Sequence, residues 1–234
     1  MDFALFGSEG LAFFLRWMHF LFGIIWIGLL YYFNFVQGAF FAETDAATKS
    51  NAIQKLVPRA LWWFRWGAMW TFVTGWTIIS LKGHNGGGFE IYTSSWGIQI
   101  LIGATLASLM WFNVWFVIWP NQKIVIASTT QAAKGGQPLP NAAAAGARAL
   151  TASRTNVMFS IPMLFFMGAA SHLPLSVNPD TSLTTLWTVV LVLIGALEVN
   201  ALKGKTGPMT TVKGVMTCGF ILAAVLYCLA EVLV

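Results

Sequence analysis

Charge is scarce in this chain: only 9% of its 234 residues are Asp, Glu, Lys or Arg, against 57% hydrophobic ones. A soluble domain carries about 25% charged residues. Too few remain here to coat a globular surface, which places the chain among membrane proteins. Cysteine is nearly absent. Cys218 and Cys228 fall in one apolar run, about 15 Å apart along a helix, beyond disulfide reach, and both read as small core residues. No Cys-x-x-Cys-His is present, which excludes covalent c-type haem. The N-terminus lacks the basic region and cleavage site of a signal peptide, so the first helix is expected to stay in the mature protein.

What is present is aromatic and apolar. The 12 Trp and 19 Phe suit bilayer interfaces. Six apolar runs, near 11–41, 60–81, 96–119, 155–172, 183–202 and 215–234, predict an all-α membrane bundle of about six transmembrane helices, with 1–234 as a single transmembrane domain. The run at 155–172 is short and holds Pro162, which a membrane helix tolerates when neighbours satisfy the freed carbonyl.

The connections alternate in charge. Lys49, Lys55, Arg59, Lys123, Lys134, Arg148, Arg154, Lys203, Lys205 and Lys213 fall on one side, whereas 82–95 holds only Lys82 and 173–182 holds no Lys or Arg. The positive-inside rule makes the basic side cytoplasmic and puts both termini outside. The net charge of +5 thus has a topological origin, and no nucleic-acid partner is expected. The segment 120–154 reads as a cytoplasmic loop with a short helix in 141–150, and His84–Gly88 as a flexible outer loop.

Polar residues in a membrane helix face protein more often than lipid. At 100° per residue, Arg16, His19, Gly23, Trp26, Asn34 and Gln37 share one face of the first helix. Phe20, Phe22, Ile25 and Leu29 lie on the other, available to lipid. His19, His84 and His172 all fall towards the outer side. His19 reads either as a hydrogen-bonded packing residue or as an axial haem ligand: neutral imidazole ligates haem, Gly23 leaves room for a flat macrocycle, and Arg16 is placed to pair with a propionate. His172 is either a helix-end interfacial residue or the second ligand. His84 reads as a solvated loop residue. Asn34, Gln37, Arg65, Asn113, Arg154, Asn156, Glu198 and Asn200 gather at the inner side, as helix-to-helix hydrogen bonds and snorkelling groups or as a polar substrate or quinone pocket. Arg65 is expected to pair with Glu198 or one of these Asn.

At these residues the sequence resembles a known family. Arg16-Trp17-Met18-His19 followed by Gly23-Ile24-Ile25-Trp26-Ile27-Gly28 and Tyr31-Tyr32-Phe33 is similar to the first helix of the PuuD-type membrane-bound urate hydroxylases, the urate oxidase N-terminal domain family. The likeness continues through Pro58-Arg59-Ala60-Leu61-Trp62-Trp63-Phe64-Arg65-Trp66-Gly67, Trp119-Pro120-Asn121-Gln122-Lys123 and Ala152-Ser153-Arg154-Thr155-Asn156. A weaker likeness joins the first helix to the HemJ and copper-resistance membrane families, where such a histidine is linked to haem or metal. The resemblance implies a membrane domain in the bacterial inner membrane, with electrons from urate oxidation passing to a cytochrome c domain at an outer C-terminus. This sequence runs to Val234 without a cytochrome c domain, and is expected to be a short relative that keeps the scaffold and the haem.

Two functions follow. One is a redox protein holding haem b near the outer face, with His19 and His172 on the iron and Arg16, Gly23 and Trp26 around it, urate hydroxylase-like chemistry being its specific form. The other is a non-catalytic accessory subunit of a larger respiratory or other energy-converting membrane complex.

Overall fold

A computed structural model describes residues 7–86, 88–178 and 180–234. The described residues are helical, without strands. We number the helices α1 (Ser8–Glu43), α2 (Ala46–Lys55), α3 (Val57–Gly86), α4 (Ser95–Ala133), α5 (Ala142–His172), α6 (Thr184–Lys203) and α7 (Val212–Leu233). Each of the six apolar runs falls within a long helix. Four of these, α1, α4, α6 and α7, are long and apolar enough to cross a membrane. In α3 and α5 the many Trp, Thr, Ser and Asn lower the mean hydropathy.

α5 is the centre of the bundle. Thr155 to Ser160 are all buried in succession, and the helix packs against α4, α7, α6 and part of α1. A helix buried all round must meet each neighbour with a different face, and small residues let the backbones close up. A Cβ on Gly219 of α7 would stand 3.1 Å from the Met158 carbonyl of α5, so glycine is what fits there. α3 lies along α1. Gly67 is the close approach, because a Cβ there would stand 3.1 Å from the Trp26 backbone nitrogen.

The outer surfaces carry large apolar side chains: Phe20 is 69%, Ile24 72% and Val192 67% exposed. Water would penalise such faces, whereas lipid does not. The expected lipid face of α1 is only partly that. Phe20 is exposed, but Phe22 stacks on Trp70, Ile25 packs at Gly67 and Leu29 packs against the core. α3 covers that flank, a partner that the α1 sequence alone could not place.

The 120–154 stretch, expected as a loop, is helical up to Ala133 and again from Ala142. Its alanines favour helix wherever Gly and Pro do not interrupt, and Gly135, Gly136, Pro138 and Pro140 confine the break to 134–141. His84 lies in the last turn of α3 and not in a loop. Gly87 is outside the described residues. Between α1 and α3, Asp45 caps α2 by accepting from the backbone N–H of Ala47 and Thr48 and from the Thr48 hydroxyl. That hydroxyl first, and the backbone donors with it, hold the Asp45 carboxyl below the usual carboxylate range.

Two helices contain a π-helical turn, at Tyr32–Gln37 in α1 and Asn113–Ile118 in α4. Such turns widen the helix and often mark functional positions. Here each presents a buried asparagine, Asn34 or Asn113, to α5.

Candidate functional site

A cavity of about 620 Å³ lies between the α1/α3 pair on one side and α4/α5 on the other. α1 supplies Arg16, His19, Gly23, Trp26 and Tyr31, and α3 supplies Thr71, Gly75 and Lys82. Most of the remaining lining, including Ile100, Ala104, Met163 and Met167, is apolar. The first part of the polar stripe expected on α1, from Arg16 to Trp26, therefore lines this space, whereas Asn34 and Gln37 do not. Four of the five expected site residues, Arg16, His19, Gly23 and Trp26, line it together.

His19 is fixed by α3. Its Nδ1 lies 3.1 Å from the Thr74 hydroxyl oxygen, and that hydroxyl donates its own proton to the Trp70 carbonyl at 2.6 Å. With that proton committed, Thr74 accepts from His19 Nδ1–H. The lone pair of the imidazole is then on Nε2. Gly75 completes the fit, since a Cβ there would stand 2.9 Å from His19 Cε1. Further along α1, Gly23 and Gly28 flatten the cavity wall. A Cβ on Gly23 would touch only Thr71, and one on Gly28 would meet nothing within 4 Å.

Two cations stand at the same end. Arg16 projects from α1 and Lys82 from α3, and both line the cavity. The Lys82 ammonium sits 3.9 Å over the Trp96 ring, which also lines the cavity. Trp26 is fully buried, and its indole N–H has no acceptor among the described residues. Tyr31 bonds Ser160 of α5 at 2.9 Å and ties the wall to the central helix.

The other expected residues fall elsewhere. His172 is exposed at the end of α5, beside the lining residue Ser171 but not itself part of the wall. The Tyr31–Ser160 bond sets the register of α1 against α5. His19 and His172 each lie twelve residues beyond it towards the same end, or about 18 Å along parallel axes. The two histidines thus share a depth, while the His172 side chain is turned away. His84 is exposed at the end of α3.

The second polar group forms a separate network. Asn113 Nδ2 donates to Asn156 Oδ1 and Glu198 Oε2, each at 3.0 Å, and Asn156 donates to the Met110 carbonyl. Asn34 donates to Ser153 at 2.8 Å. Arg65 does not join as expected. Its Nε donates to the Leu61 carbonyl, and its guanidinium lies 3.4 Å over Trp119. A planar cation is satisfied by an aromatic face as well as by a carboxylate, and the Trp-rich α3/α4 seam supplies one. Asn200 bonds the Lys205 carbonyl in the following turn.

Sequence reading missed Thr74, Gly75 and Lys82. The signal was present: Thr71, Thr74, Gly75 and Lys82 recur at helical spacing on one face of α3.

A profile of the urate oxidase N-terminal family matches residues 88–229. The chain belongs to the urate oxidase N-terminal family. That match covers α4 to α7, with the Trp119–Lys123 and Ala152–Asn156 motifs, whereas His19 and Arg16 precede it. No curated protein and no solved structure matches the chain.

Proposed function

We propose that this family member is an integral redox protein of the bacterial inner membrane that holds one b-type haem in the His19 cavity and passes electrons to a cytochrome c. In this reading α1, α3, α4, α5, α6 and α7 all span the bilayer, with both termini and the His19 end outside. The observation that carries the proposal is His19 itself. Its Nδ1 is fixed by Thr74, whose own proton goes to the Trp70 carbonyl, so the lone pair falls to Nε2, and the residue lines the cavity. A ligating histidine is commonly oriented this way by a partner on its other nitrogen.

The residues present fit the group. Among the described residues no three His, Cys, Asp or Glu gather into a metal-holding cluster. A haem needs only one or two protein ligands, because the macrocycle supplies the other four. The apolar walls and the glycines at 23 and 28 suit a flat ring. When bound, the group supplies one-electron chemistry. The chain's own part is to bind through His19, to orient that imidazole through Thr74, to make room through Gly75, and to exclude water with the apolar walls. His172, at the same depth as His19, would be the second residue to hold the group, and without it the group would be held by His19 alone.

Purified protein is expected to show a reduced-minus-oxidised b-type band that His19→Ala abolishes without unfolding the chain. Full haem retention in folded His19→Ala protein would return the histidine to a packing role. No band in the wild-type chain would favour the accessory-subunit alternative. The topology has its own test. A reporter active only outside the cytoplasm should work when fused after Val234, and activity of a strictly cytoplasmic reporter there would overturn the six-span arrangement.

A further inference from the structure

We propose that Arg16 and Lys82 form a two-cation clamp on the acid groups of the cavity's ligand, so that the site selects a flat amphipath carrying carboxylates over its neutral ester. This rests on the haem reading for the identity of the ligand. The clamp itself rests on the placement of the two cations.

The two side chains come from different helices, α1 and α3, and both line the cavity at the end where His19 is held. Cations at a membrane boundary are free to snorkel apart into water. Here both also line the cavity. Among the described residues, the Lys82 ammonium rests on the Trp96 face and not on a carboxylate. Cation–π contact holds a cation without neutralising it. Two cations from different helices thus border an otherwise apolar space, and Lys82 is held there by the Trp96 face. An anionic ligand group there gains charge-assisted hydrogen bonds from both. The His19 ring lies one turn below Arg16 on α1. A molecule bound at Nε2 therefore brings its polar edge to the clamp only if its acids and its body lie at opposite ends, which is the shape of a porphyrin dicarboxylic acid.

The test compares haem b with its dimethyl ester, titrated into the full chain in nanodiscs with and without anionic lipid. Wild-type protein is expected to bind the free acid at least tenfold more tightly than the ester. In Arg16→Gln/Lys82→Gln the free acid should fall to the ester's level while the ester's own affinity stays put, which also shows that the variant is folded. Each single variant should close part of the gap. Equal binding of acid and ester by the wild-type chain would overturn the clamp and leave the His19 reading standing. A gap that Arg16→Gln alone removes would overturn the role of Lys82. Were the pair occupied by phosphate headgroups, acid and ester would bind alike and removal of anionic lipid would strengthen both, which also overturns the clamp. Binding of neither form, to wild type or variant, would overturn the haem reading and the clamp with it.

Discussion

The two ends of the bundle use polar residues in opposite ways. At the Glu198 end, Asn113 bonds Asn156 and Glu198, and Asn34 bonds Ser153, so that α1 and α4 are stapled to the central α5 and α6 to α4. At the His19 end, one nitrogen of His19 is bonded to Thr74, and His19, Arg16 and Lys82 line a cavity. Orphaned atoms do not separate the two ends. Glu198 Oε1, Asn113 Oδ1 and two guanidinium nitrogens of Arg154 lack partners as surely as the Trp26 indole does. What differs is the space beside them. The cavity is lined by the His19 group and not by Asn113, Asn156 or Glu198. Polar side chains therefore join helices at one end and border a cavity at the other.

The largest expected effect tests the open end. Gly75→Ala places a methyl against His19 Cε1, and the ring, held by Thr74, must turn or lose that bond. Ligand affinity should fall about a hundredfold, roughly 2.7 kcal/mol. The fold should be unharmed, since alanine suits a helix better than glycine by about 0.5–1 kcal/mol. Haem titration and thermal unfolding of the same preparation give both numbers. Unaltered affinity would mean that the position of His19 does not matter to binding.

A smaller effect, of the other kind, is expected at the stapled end. Asn113→Leu removes two interhelical bonds and leaves Glu198 Oε2 and Asn156 Oδ1 without their donor. Interhelical bonds in membranes average about 0.6 kcal/mol, and a stranded buried acceptor adds about 1–3 kcal/mol. A stability loss of about 2 kcal/mol with ligand affinity intact is expected from unfolding in mixed micelles. If affinity falls instead, the two ends are coupled and the contrast drawn between them fails.

How far this was legible from sequence depends on how many helices a feature needs. The stripe Arg16, His19, Gly23 and Trp26 needs only one helix and its period, and the structure brings those four residues to one wall. Thr74, Gly75 and Lys82 belong to the same site but come from α3, and no property of α1 says which neighbour faces its stripe or at what height. For Arg65 the sequence points to Glu198 or an Asn of the inner group, because a polar partner is the usual remedy for a buried cation. The aromatic face of Trp119 was nearer, and only the packing of α3 on α4 shows that. The 120–154 segment failed for a different reason. Gly and Pro suggested a loop, but they cluster within 134–141, and the alanines on either side continue the helices.

The smallest effect expected concerns His172, whose role turns on orientation alone. The Tyr31–Ser160 bond puts it level with His19, whereas the helical phase turns it away: Met163, Leu164, Met167 and Ser171 form the cavity face of α5, and His172 lies roughly 80° beyond the edge of that face. It is the last residue of its helix, and Leu173 after it has left helical geometry at φ −137°, ψ 78°. No following turn walls in its side chain, so a rotamer change costs little there, unlike at His19. His172→Ala should therefore keep the full haem content, because His19 and the walls remain, and should shift the iron towards high spin in the absorption and electron paramagnetic resonance spectra. An unchanged spin state would remove His172 from the site and leave the position opposite His19 open, an arrangement better suited to chemistry on a small molecule than to electron transfer alone.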